Sequence, residues 1–62
     1  MLNARMQVIQ ALRELQYTQE WVLPNDIVMH TMGDKERIKD ELNWMKSRGV
    51  VQYMKDKGYR LP

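Results

Sequence analysis

At 62 residues, 44% of them hydrophobic and none of them cysteine, the chain has apolar side chains for one core only, and it excludes a disulfide frame and a thiolate metal site. No run approaches the ~20 apolar residues of a membrane span, and the N-terminus lacks the charged-then-apolar pattern of a signal peptide, so a soluble, cytoplasmic, one-domain protein over residues 1–62 is expected. The net charge of +2 is small but unevenly spread, with −1 over residues 1–33 and +3 over residues 34–62, a bias that suits a polyanion-facing second half as well as an ordinary solvated surface.

Asn3 is placed to cap a first helix over about 3–16, because its side-chain oxygen can accept from a free amide of the first turn and no Gly or Pro interrupts the stretch. Val8, Ile9, Leu12 and Leu15, with Ala11 beside them, recur at helical spacing and mark one buried stripe. Arg5, Gln7, Gln10, Arg13 and Glu14 form its polar face, which can also carry a partner. Between Tyr17 and Leu23 the period is lost, and Trp21-Val22-Leu23 ahead of a proline reads as an extended connector, a candidate third strand. Pro24 suits a first helical turn, and Asn25 and Asp26 add acceptors and negative charge there, so a second helix over 24–31 is predicted. Ile27 and Val28 are its core residues, Met32 closes the turn, and Gly33 is expected to take the positive backbone angle.

Asp34 caps a third helix predicted over 34–48, which Gly49 ends in the left-handed conformation. Ile38, Leu42 and Met45 give it a narrow apolar stripe between long charged side chains. Beyond Gly49, Val50 to Met54 and Tyr59 to Leu61, joined by Lys55-Asp56-Lys57-Gly58, read as a β-hairpin over 50–61. Val51, Tyr53, Tyr59 and Leu61 are assigned to its inner face, with Gln52, Lys55, Lys57 and Arg60 outward or at the tip. Met6, Met32, Met45 and Met54 are expected as adaptable core filler.

Three helices followed by a hairpin is an α+β order of elements that resembles the winged helix-turn-helix family, and the residue pattern is similar from Asp34 to Leu61. Ile38, Leu42, Met45, Gly49, Val50 and Val51 look like that family's run from recognition helix to wing, and Asp56 to Leu61 resembles the wing turn and return strand. The resemblance implies binding to double-stranded DNA, with the third helix in the major groove and the wing on the adjacent backbone. On that reading Lys35, Lys39 and Lys46 share one flank of the helix, with Asn43 and Glu36 further round. Asn43 is the candidate base reader because its amide matches an adenine edge, and lysines neutralise phosphate. Lys55, Lys57 and Arg60 are the wing contacts. A small transcription regulator or recombination accessory factor of the phage or mobile-element kind is implied, located on the nucleoid or in the nucleus when bound to DNA. Since one small module buries little surface on DNA, it is expected to dimerise, bind in tandem or recruit a protein partner, with the first helix or the Trp21 segment as the candidate dimer surface.

Other residues point to a second reading, a winged-helix protein-interaction module. Glu36 and Asp40 lie on the outward side of the third helix and repel phosphate. Trp44 falls beside Arg37 and Arg48 and, with Trp21, is a candidate protein interface. The plainer alternatives are that Trp44 packs beneath the hairpin or the second helix, that Trp21 is a core or strand residue, and that Lys35, Lys39 and Lys46 are a solvated face. Catalysis is not expected, nor is a cofactor or metal. His30 is the sole histidine and has no carboxylate pair at ligand spacing, and Asp40 and Glu41 point about 100° apart.

Overall fold

The computed structural model describes residues 2–62. Asn3 stands in extended backbone and its side-chain oxygen accepts the Met6 N–H at 2.9 Å, which starts α1 (Ala4–Leu15). Past Leu15 the chain tightens into successive turns before the connector. α2 (Pro24–Thr31) opens on its proline, with no side-chain hydrogen bond at the preceding Leu23. α3 (Lys35–Ser47) opens at Asp34, whose carboxylate accepts the Arg37 N–H at 3.0 Å. Its end is closed twice, because Gly49, at φ +74, donates to the Lys46 carbonyl while Val50 donates to that of Met45. That paired closure is what a glycine in the left-handed region permits.

The three helices are followed by an antiparallel hairpin of β1 (Gln52–Met54) and β2 (Gly58–Arg60), giving the α+β, winged-helix-like layout expected. Val8, Ala11 and Leu12 of α1, Ile27 of α2, and Ile38, Leu42 and Met45 of α3 form one core with Val22, Val51 and Tyr59. Each large aliphatic side chain buried there contributes about 1.5–3 kcal/mol. Among the described residues no helix is long and apolar enough to cross a membrane.

The connector does act as a strand, for the length of one residue. Val22 and Tyr59 exchange both backbone hydrogen bonds at 2.8 Å each, so β2 lies in the middle and β1 at the outer edge. Because the Tyr59 N–H and C=O turn toward Val22, its partnership with Tyr53 across the hairpin is a non-hydrogen-bonded pair, and the N–H and C=O of Tyr53 face outward. Gly58 makes the approach possible. Its φ is +111, and a Cβ there would stand 2.1 Å from the Val22 carbonyl oxygen.

Three expectations are corrected. Met32, not Gly33, takes the left-handed conformation after α2, at φ 55, with its N–H donating to the Val28 carbonyl at 2.8 Å. Gly33 provides room instead, since a Cβ there would lie 3.3 Å from Thr31 Oγ1 and 3.4 Å from Ile38 Cδ1. Of the four methionines assigned to the core only Met45 is buried. Met6 points about 200° away from Val8 round α1, Met32 projects from its turn with 90% of its surface exposed, and Met54 stands at the turn end of β1, 43% exposed. Tyr53 keeps the inner-face side with Tyr59 and meets Lys46 of α3, but it lies at the rim and not in the core, 42% exposed.

Two substitutions test this backbone. Gly58→Ala is expected to cost about 2–4 kcal/mol in urea unfolding followed by circular dichroism, a large share of what so small a core supplies. A cost below about 0.5 kcal/mol, within the range of ordinary surface changes, would show that the connector is not fixed against the hairpin. Met32→Gly is expected to gain about 0.5–1 kcal/mol by relieving a non-glycine left-handed residue. A lowered midpoint would mean that the methionine side chain holds the turn.

Candidate functional site

Ile38, Leu42 and Met45 fix the inward direction of α3. At about 100° per residue, Glu36, Asp40, Asn43 and Ser47 form the outward crest, Lys35, Lys39 and Lys46 one flank, and Arg37, Glu41 and Trp44 the other. The lysine flank faces the hairpin. Lys46 Nζ lies 3.8 Å above the Tyr53 ring, and Tyr53 leans on Tyr59 with centroids 5.0 Å apart. A cation over the negative face of a ring is held there electrostatically, so this contact ties α3 to β1. Beyond it the hairpin turn carries Lys55 and Lys57 on either side of Asp56. Lys57 N–H closes that turn on the Met54 carbonyl at 3.1 Å, with Asp56 at φ +69.

All five lysines are exposed, and among the described residues none is in an ion pair. The carboxylates that do pair take other cations: Glu41 takes Arg5 at 3.0 Å, Glu14 takes His30 at 2.8 Å and Glu20 takes Arg60 at 3.4 Å. Such exposed pairs add little to stability. They leave the lysine flank and the hairpin turn, together with Arg13, Arg37 and Arg48, outside any ion pair among the described residues. Asn43 is exposed beside that flank, and no side-chain hydrogen bond among the described residues engages its amide.

Arg60 is drawn away from this band. Its Nε donates to Gln52 Oε1 at 2.9 Å, its terminal nitrogen reaches Glu20 at 3.4 Å, and its guanidinium lies 4.5 Å over the Trp21 ring. Strand alternation puts Gln52 and Arg60 on the sheet face opposite Tyr53 and Tyr59, so the fold separates Arg60 from the lysines. Trp21 is half-buried as the platform for that arginine. Trp44 sits against α1 on the far flank of α3, 39% exposed, with the Arg5 guanidinium 3.7 Å and that of Arg48 5.3 Å from its ring centre. Arg5 carries no local signal for this role, since its partners lie 36 and more positions along the chain. A shallow polar cleft between α1 and α2 is lined by Gln7, Gln10, Glu14, His30 and Thr31. No group of three metal-ligating side chains occurs among the described residues.

Comparison of the chain with protein-family models, with curated proteins and with solved structures finds no match.

Burial pushes the Tyr59 hydroxyl above its ordinary value of 10.0, and the neighbouring Tyr53 adds to the push. The folded chain therefore keeps this phenol neutral at a pH where the unfolded chain ionises it. The resulting stability is intact below about pH 10 and is lost as pH rises through the folded value. Alkaline unfolding followed by circular dichroism is expected to begin at higher pH in Tyr59→Phe than in the parent. Coincident profiles would assign the alkaline limit to another group.

Proposed function

We propose that this protein binds double-stranded DNA, with α3 entering the major groove along its lysine flank and the hairpin lying on the adjacent phosphate backbone. The observation that carries this reading is the unpaired lysine band, in which Lys35, Lys39 and Lys46 continue through the Lys46–Tyr53 contact toward Lys55 and Lys57. Lysine is a mobile, strongly hydrated point charge, suited to phosphates whose spacing varies with DNA shape. Asn43 beside the band offers a donor and an acceptor to an adenine edge. Glu36 repels phosphate but can accept from a cytosine amino group, which makes it a selector of bases. In this role the chain is a small regulator or recombination accessory factor.

The test is fluorescence anisotropy with a random-sequence duplex at about 50 mM and then about 200 mM salt. Five phosphate contacts give a log–log salt slope of roughly −4.5, a loss of about 10²–10³-fold over that range. Lys39→Ala combined with Lys57→Ala is expected to flatten the slope by about two. Absence of binding at the lower salt would overturn the reading, and an unchanged slope in the double variant would remove those two residues from the interface.

A further inference from the structure

On the flank of α3 that faces away from the lysine band, Trp44 is held between arginines of two different elements. Arg5 of α1 stacks over its ring at 3.7 Å and Arg48, just past the end of α3, lies at 5.3 Å. Arg5 is anchored in this position because its Nε donates to Glu41 Oε2 at 3.0 Å. That bond leaves its terminal nitrogens, and the whole Arg48 guanidinium, without a carboxylate among the described residues. Arg37, four positions before Glu41, adds a third exposed guanidinium to the same flank.

We propose that this flank is a docking surface for a protein segment that is acidic and carries an apolar side chain beside its carboxylates. The charge is complementary, with three arginines set against Glu41, which already engages Arg5, and Asp40 at the neighbouring edge of the crest. Arg5 and Arg48 are also placed before any partner arrives, since both lie over Trp44 and Arg5 is bonded to Glu41, and their planar forks match carboxylates bidentately. Between them the exposed part of Trp44 offers apolar surface, and tryptophan with arginine is the pairing that dominates binding hot spots. The lysine band presents compact hydrated charges, and its one aromatic, Tyr53, lies beneath Lys46 rather than between arginine forks.

Asp40 and Glu41 decide between a peptide and a nucleic acid at this place. A duplex bears a charge on every nucleotide and would bring phosphate against both carboxylates, whereas a peptide can set an apolar side chain there. Glu36 and Asp40 on the crest also steer an acidic segment away from the lysines. The surface thus leaves the lysine band open, so that a duplex and a protein partner occupy opposite flanks of one helix.

The experiment is an anisotropy titration of the full chain into a fluorescein-labelled short peptide with leucines set between glutamates. Saturable binding is expected, weakened about fivefold or more by Trp44→Ala and separately by Arg48→Gln. Lys39→Ala with Lys57→Ala is expected to leave it within about twofold. A peptide of glutamates alone is expected to bind about fivefold more weakly, because it cannot cover the indole. Both aromatic-flank positions are exposed, and circular dichroism of each variant verifies the fold. Absence of saturation, equal binding of the all-glutamate peptide, or equal loss in the lysine variant would overturn the proposal. So would a loss of duplex binding in Trp44→Ala and Arg48→Gln as large as the loss of peptide binding, which would make this flank part of a DNA interface.

Discussion

Two backbone hydrogen bonds between Val22 and Tyr59 determine where the hairpin stands. A two-stranded hairpin alone is marginal in water, and here each strand has only three residues. Pairing β2 with the connector buries the Tyr59 ring, brings Gly58 against the Val22 carbonyl and sets Tyr53 within reach of Lys46. The junction between helix and hairpin therefore follows from a contact made by residues more than half the chain apart.

α3 buries only Ile38, Leu42 and Met45, and that economy leaves most of its circumference for other uses. The chemistry is sorted round it. Lysines lie beside the hairpin, acids and Asn43 stand at the crest, and arginines gather with Trp44 beside α1. The sorting matters because the two cations differ: an ammonium prefers water or a diffuse anion, whereas a guanidinium stacks on an aromatic face and still presents its edge. Here Arg5, Arg48 and Arg60 all lie over indoles, and the lysines of the band are left to solvent apart from Lys46 on Tyr53.

Features that depend on a few consecutive residues are legible in the sequence itself. Asn3 and Asp34 cap helices, Gly49 ends α3, and the hairpin follows its turn, because each is settled by its neighbours along the chain. Expectation and fold part company where distant residues decide. Gly33 is the natural residue for a positive φ, but its lack of a Cβ is used to admit Ile38, so the strained angle falls on Met32. Alternation places Tyr53 with Val51 on the inner face but does not say how far along that face the core extends, and Tyr53 lies at its rim. The candidate site is legible in the same proportion. Lysine spacing on α3 marks one flank, whereas the removal of Arg60 to Trp21 and the clamp of Arg5 on Trp44 join distant parts of the chain and leave no periodic trace.

The outer edge of β1 bears on how copies of this protein behave when crowded together. An exposed strand edge is ordinarily a template on which further chains can add and aggregate. This one offers a single outward N–H and C=O, those of Tyr53, between Lys46 and Lys55. A ladder started there has no second rung, and each added copy would bring like charge against like. The brevity that makes the hairpin depend on its connector also makes it a poor seed for edge-to-edge growth.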